Sequence, residues 1–465
     1  MTSVSQVAES LKSVLEERAN ALARETGCIQ RERKFSGADL LQTLVFGWQQ
    51  HPDASLEQLA STAELRDVSV TDTAVHKRLT PQCAAFLHAV LEEMSSVVVQ
   101  AAHEVPIALL RRFSAVVLED SSSISLPDDL AKIWRGCGGN HSHTAAAVKL
   151  HVRWELKRGQ LWGPKLTNGR TSDHKSPFNE DEVQAGALYV QDLGYFDLQR
   201  LAQRHQAGAS SLTRLHAGTA LFTPTGQSLC LESVLPPRVG QMKEMHVLVG
   251  ANQRLPMRLL LLRVPKEVGD QRREDLLRDA QRRGQTISEE TLRLADWTIL
   301  ITDVASKHLR FEEALVLLRE RWQMELLYKL WKQDGQVDEW RTSNPWRVLC
   351  ELYAKLIGAL IQHWLIVLFA WQDPQRSLVK LAQVVRDTSW TLMDALACGR
   401  RLPATLRLIG RRMRSGCHMN KRKKHPNSAQ LLERESVEWA LSWCEWATLT
   451  VALTLRQHRG LPRIG

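Results

Sequence analysis

The sequence predicts an α/β core set between two all-helical regions. Three observations carry this. Residues 1 to about 100 place their apolar side chains at helical spacing, residues from about 113 to 300 hold recurrent short β-branched or alternating runs, and the chain after 310 returns to helical periodicity almost to its end. At 465 residues the chain is long enough for sizeable cores, and 44% hydrophobic with 24% charged residues is the balance of a globular protein. That balance excludes disordered, collagen-like and fibrous classes.

In the first region Val7, Leu11, Val14 and Leu15 share one face of an amphipathic helix. Ser36 is suited to cap a second helix carrying Leu40, Leu41, Leu44 and Val45. Leu56 to Leu65, the turn Arg66-Asp67-Val68-Ser69, and Val70 to Leu79 read as helix, turn, helix. Such a pair can read DNA, with Thr71, Thr73, His76, Lys77 and Arg78 on its second helix, and a plain helical bundle explains it equally well. Thr80-Pro81 then supplies a cap and first-turn pair for the next helix.

The core begins with Ser114 to Asp120, a β-branched run ending in acid. Ala145 to Leu156 alternates as a strand, with Val148, Leu150, Val152 and Trp154 on one face, and Gln160 to Leu166 follows as a third. Ala187 to Gln191 is a fourth strand, ending at Asp192, and a helix is expected over Leu198 to His205. Further strands are expected at Ser211 to Phe222, Gln227 to Leu235, Met242 to Gly250, Met257 to Val264 and Trp297 to Asp303, with a charged helical segment at about 266 to 283. The most apolar run, Leu356 to Trp371, is interrupted by Gln362 and His363 and reads as a buried core helix rather than a membrane span.

Charge and cysteine usage narrow the partners. There are 61 Lys and Arg against 51 Asp and Glu, a net charge of +10. The segment Arg400 to Lys424 (with Arg411, Arg412, Lys421, Arg422, Lys423 and Lys424 among its basic residues) has no acid and accounts for the whole excess. Such a block suits a polyanion, nucleic acid first, or is a solvated basic tail. The eight cysteines are scattered with no C-x-x-C pair, which argues against a structural zinc site or a disulfide framework and fits a reducing cytosol. The N-terminus opens on a polar amphipathic pattern rather than a signal peptide. His141 and His143 lie in a Gly-rich segment that reads as a β-turn, with no third soft ligand nearby for a metal. Asp173-His174 reads as polar loop, or else as a support for the site's own ligands or a DNA contact, and Lys149 as pointing to DNA or to solvent.

Arg321, Glu325 and Lys332 stand at i, i+4 and i+11, which on a straight helix puts all three on one face. This spacing resembles the C-terminal signature Tyr-x2-Arg-x3-Glu-x6-Lys of the DDE transposases of bacterial insertion sequences, type-four family. Asp120 in Leu118-Glu119-Asp120-Ser121-Ser122 resembles the first catalytic aspartate of that family, and Asp192 in Val190 to Phe196 the second. Each acid alone reads more readily as a structural residue, a strand-end Asp as a turn residue or helix cap; the order and the intervals together carry the resemblance.

The resemblance implies an RNase H-like catalytic core over 106–209 and 305–345, and a β-rich insertion over 210–304. It implies a helical DNA-binding domain over 1–105, and a C-terminal helical region over 346–465 for dimerisation and DNA contacts. Asp120, Asp192 and Glu325 would be catalytic and would hold Mg²⁺, with Mn²⁺ as a substitute. Hard carboxylate oxygens suit such ions, and a metal pair can stabilise the attacking and leaving oxygens of phosphodiester displacement. Arg321 and Lys332 would grip phosphates, and Trp297 would stack on a flipped base. Double-stranded DNA (terminal inverted repeats and target), a homodimer and a bacterial, nucleoid-associated cytoplasmic location are implied with it. Leu318 stands where the signature has Tyr, so the family's hairpin-forming step lacks that hydroxyl here. A catalytically inactive DNA-binding protein that keeps the fold, or a nuclease without joining activity, are the rival readings.

Overall fold

The computed structural model describes residues 2–31, 33–138, 145–284 and 286–419. His141, His143, Lys421, Arg422, Lys423 and Lys424 therefore lie outside the described residues. The strands, in chain order, are β1 (Val116–Leu126), β2 (Ala146–Glu155), β3 (Leu161–Asn168), β4 (Leu188–Gln191), β5 (Ser210–Arg214), β6 (Leu221–Phe222), β7 (Ser228–Leu229), β8 (Met242–Val249), β9 (Leu255–Arg263) and β10 (Trp297–Thr302). The described chain divides into two compact units: one from the residues up to Ile107, Val117–Asp181 and the residues from Trp322 on, the other from Ala108–Val116 and Glu182–Arg321.

The first unit gathers the N-terminal helices, three strands and the C-terminal helices. Ser3, Ser36 and Ser55 each accept a hydrogen bond from the backbone N–H three residues on, in reciprocal capping boxes, so the sequence itself marks where the first helices start. Thr80 caps Pro81–Ser96 with Pro81 in the first turn, as expected. The central element is the helix Pro345–Ala370, capped by Asn344 and packed against Gly37–Gln50, Pro81–Ser96 and Leu402–Gly416. By length and composition it could cross a membrane, yet 78% of its most apolar window is buried inside the protein. β1, β2 and β3 form an antiparallel meander, with Asp120 opposite Val152.

Three expectations need correction, the first two within this unit. Val70 to Leu79 is not one helix: only Asp72–His76 is helical, capped by Thr71, and the chain turns left-handed at Asp67 (φ 55°) and is not helical from Val68 to Val70. Lys77 is exposed at the end of that five-residue helix and Arg78 is half-buried. Asp120 is not at a strand end: pairing with β2 continues through Ser121–Leu126 to Ala146, so tertiary pairing overrides the turn propensity of three consecutive serines. Arg321 to Lys332 is not one straight helix either. Phe311–Glu320 ends at Arg321, Trp322–Lys329 follows, and Leu330–Asp334 widens into a π-helical turn.

In the second unit β4, the helix Leu198–Gln206 and β5 make a parallel β-α-β unit. From β5 the pairing runs antiparallel through β10, β9, β8 and β6 to β7. Leu259 and Leu261 of β9 and Ile299 and Ile301 of β10 join Leu201 and Val249 in the core. The expected strand from Ser211 to Phe222 is two strands, β5 and β6, and the one from Gln227 to Leu235 is the two-residue β7 and a 3₁₀ turn, Leu231–Val234. Since β5 pairs with β4, the segment from 210 starts within the β-α-β unit. The charged helix spans Lys266–Arg283 and is followed by a short one, Glu289–Leu294. A mixed sheet with flanking helices is compatible with an RNase H-like core.

Candidate active site

In the second unit Asp192 directly follows β4 and precedes the 3₁₀ turn Leu193–Tyr195, whose Tyr195 side chain is buried. The strand end is fixed from beneath. The fully buried Arg204 guanidinium donates to the Gln191 side chain and lies 4.3 Å from the Tyr189 ring centroid. The Asp192 carboxylate is 3.8 Å from Arg321 Nη2. Burial alone would raise the Asp192 pKa. The charges of Arg321 and Arg214 and the Leu193 backbone N–H outweigh it and hold the carboxyl below its ordinary range. Two residues before Arg321 in the sequence, Arg319 is pushed down to about 10 by burial, against the pull of Glu320. Leu318, at the Tyr position of the signature, is half-buried in Phe311–Glu320. Arg214 is the residue sequence reading missed. It ends β5, and only the parallel pairing of β4 and β5 accounts for its charge acting on Asp192.

Trp297, the first residue of β10, is half-buried against the core of this unit. Its indole N–H donates to the Pro236 carbonyl (2.9 Å), and the Arg263 guanidinium lies 4.0 Å from its ring centroid. A base stacking on Trp297 must take the face opposite Arg263 or displace that guanidinium.

In the first unit Asp120 is half-buried, and its carboxylate accepts the Ser121 backbone N–H (2.9 Å). The strand carrying it is braced by a polar layer. Ser121 Oγ donates to Asp173 (2.7 Å), and Lys149 Nζ donates to Asp173 (3.1 Å) and to the Thr171 carbonyl (2.6 Å). Lys149 thus serves neither as a free DNA contact nor as a solvated cation, and Asp173 is a bracing partner. Two residues before Ser121, the buried Glu119 accepts from Arg153 (3.2 Å) and Ser176 (2.6 Å). Glu325 is half-buried on Trp322–Lys329, and Tyr328, one turn further on, donates to the Asp120 carbonyl (2.8 Å). Lys332 Nζ donates to the Ser123 carbonyl (2.9 Å), and burial lowers its pKa against the pull of Asp338.

Among the described residues no group of three or more His, Cys, Asp or Glu side chains is gathered as a metal cluster. Asp120, Asp192 and Glu325 each present a partly exposed carboxylate, the hard oxygen donor that a divalent cation such as Mg²⁺ prefers. Of the basic block, Arg400, Arg401, Arg407, Arg411, Arg412 and Arg414 are exposed on or beside the helix Leu402–Gly416, and Arg412 lies 3.9 Å from Asp387.

Residues 111–361 match the Transposase DDE domain, and the chain belongs to that family: it is a DDE transposase of bacterial insertion sequences, an enzyme acting on DNA. It is 27% identical over 371 residues to the transposase for insertion sequence element IS231C of Bacillus thuringiensis subsp. berliner, covering 75% of this chain and 76% of that protein. It is 21% identical over 367 residues to the transposase for IS1151 of Clostridium perfringens, with 75% and 77% covered. With the transposase for IS421 of Escherichia coli it shares 24% over 355 residues, with 74% and 89% covered. DDE transposase domains generally use divalent metal ions.

Proposed function

We propose that this transposase binds the terminal inverted repeats of its insertion sequence, cleaves the DNA ends and joins them to target DNA, working as a homodimer in a cut-and-paste reaction. The observation that carries this is that the matched domain, 111–361, contains Asp120, Asp192, Arg321, Glu325 and Lys332 in the signature order, with all three acids partly exposed. Asp120, Asp192 and Glu325 are the residues that would hold Mg²⁺, or Mn²⁺ in its place. Bound there, the ions would stabilise charge on the attacking and leaving oxygens of the phosphodiester.

The chain's own side chains do the rest. Arg321 offers a planar fork to a phosphate, and its contact with Asp192 is long enough to be exchanged for one. Lys332 offers a point charge, held by the Ser123 carbonyl. Residues 1–105 are assigned to end recognition, with Lys77 and Arg78 at a short helix, and the β-rich segment 210–304 to the insertion within the core. A hairpin intermediate, if formed, is held without a hydroxyl at position 318.

The test is incubation of the protein with labelled end DNA and Mg²⁺, with products resolved on a denaturing gel. Cleaved and joined strands are expected. Binding without cleavage would leave an architectural protein, and cleavage without joining a nuclease.

A further inference from the structure

The helix Leu402–Gly416 carries an arginine pattern that the proposed chemistry does not use. Its buried residues Leu402, Leu406, Ile409 and Met413 form one apolar face, packed against Pro345–Ala370 and Val4–Lys12. Arg407, Arg411 and Arg414 are exposed and stand at i, i+4 and i+7. At about 100° and 1.5 Å per residue they fall within about 60° of one another, on the side away from the apolar face, along about 10 Å of helix. No acid occurs in the helix, and Arg412 turns off this line toward Asp387.

We propose that Arg407, Arg411 and Arg414 form a sequence-independent contact to the phosphate backbone of duplex DNA. The inference rests on the protein acting on DNA and assigns this surface a role apart from recognition of the ends. Charge is the first argument: a row of exposed guanidinium groups suits a polyanion. Seating is the second. At Gly410 any Cβ would overlap the Phe369 ring, so the helix is pressed onto its neighbour and offers only its outer arc. A helix held this way lies along a backbone rather than entering a major groove, where bases are read. The side chains beside the stripe, Ala404, Leu408 and Ser415, include no Asn, Gln, Asp or Glu to read base edges. Insertion of this helix into a bilayer is excluded by the same packing, since the apolar face that would enter lipid is already buried.

The test compares the full-length protein with its Arg407→Gln/Arg411→Gln/Arg414→Gln and Arg407→Lys/Arg411→Lys/Arg414→Lys variants. Equilibrium binding to a random-sequence duplex and to a terminal-end duplex is measured over a range of salt. The Gln variant should lose about 0.9 of log–log slope per contact, up to about 2.7 in all, and weaken on both duplexes by the same factor. The Lys variant should keep the slope. An unchanged slope in the Gln variant, a loss confined to the end duplex, or a Lys variant as impaired as the Gln variant would each overturn the proposal. So would a slope loss from Arg412→Gln equal to that from Arg411→Gln. Should the wild-type protein show no preference for ends while the Gln variant still loses slope, the stripe stands and the end-binding reading fails.

Discussion

The Tyr328 hydroxyl donates to the backbone carbonyl of Asp120 at 2.8 Å, and it also reaches the Leu150 carbonyl at 3.2 Å. The helix that carries Glu325 is thereby tied to the strand that carries Asp120, one turn beyond the glutamate itself. Tyr328→Phe keeps the ring and removes the tie. We expect a stability loss of about 0.5–1.5 kcal/mol and a fall in end cleavage of up to about tenfold. Thermal unfolding and single-turnover cleavage measure the two; a variant unchanged in both would show that the bond positions nothing.

Asp120→Asn, Asp192→Asn and Glu325→Gln should each abolish cleavage in Mg²⁺ while leaving DNA binding nearly intact. Asp192→Asn also removes the negative charge facing Arg321 and Arg214, so its affinity for DNA should hold or rise. Full cleavage by any one variant removes that residue from the site.

Trp297→Ala removes a ring packed on the core of its unit, and should cost about 3 kcal/mol, the lower end for a truncated tryptophan. If the ring also holds a flipped base, second-strand processing should slow more than first-strand nicking, because extruding a base costs a few kcal/mol that stacking offsets. Equal slowing of both strands would assign Trp297 to packing alone. Leu318→Tyr should leave activity unharmed or raise it; strong inactivation would mean that Leu318 is needed as an apolar contact.

His363 is buried, its Nε2–H donates to the Gly159 carbonyl at 2.8 Å, and Trp154 and Trp371 lie against its ring. Burial pushes its pKa down to about 4; the Gly159 contact opposes this and the Arg376 charge assists it. The folded state therefore favours neutral His363. The stability this brings is present above the ordinary histidine pKa of about 6.5 and is lost as pH falls toward about 4, because the unfolded chain binds the proton first. Unfolding midpoints across this window should show a slope of up to about 1.4 kcal/mol per pH unit from this group, flattened in His363→Gln. An identical pH profile in the variant would contradict this.

Residue patterns exposed some levels of the structure and hid others. Ser36, Thr80-Pro81 and the alternation of Val148, Leu150, Val152 and Trp154 report local events, a cap and a pleat, and the structure has them where the pattern put them. The extent of β1 was hidden, because Ser121 to Ser123 carry no strand preference and are held by pairing with residues about 28 positions further along the chain. The break at Arg321 was hidden too. No Gly or Pro marks it, and the i, i+4, i+11 spacing that suggests a single face holds only for a straight helix. Arg214 carried no local signal at all, since its effect on Asp192 depends on which strand lies beside β4.

The two faces of Leu402–Gly416 have a consequence for how this part of the gene can change. The buried leucines and the arginine stripe are locked in one angular phase, so loss or gain of a single codon between Arg401 and Arg407 would rotate everything after it by about 100° relative to the preceding turn. Either the guanidinium groups would be driven toward the Pro345–Ala370 interface or the apolar residues would come out into water. Substitutions on the outer arc can drift singly, whereas length changes in this helix are admissible only in steps of three or four residues, close to a whole turn.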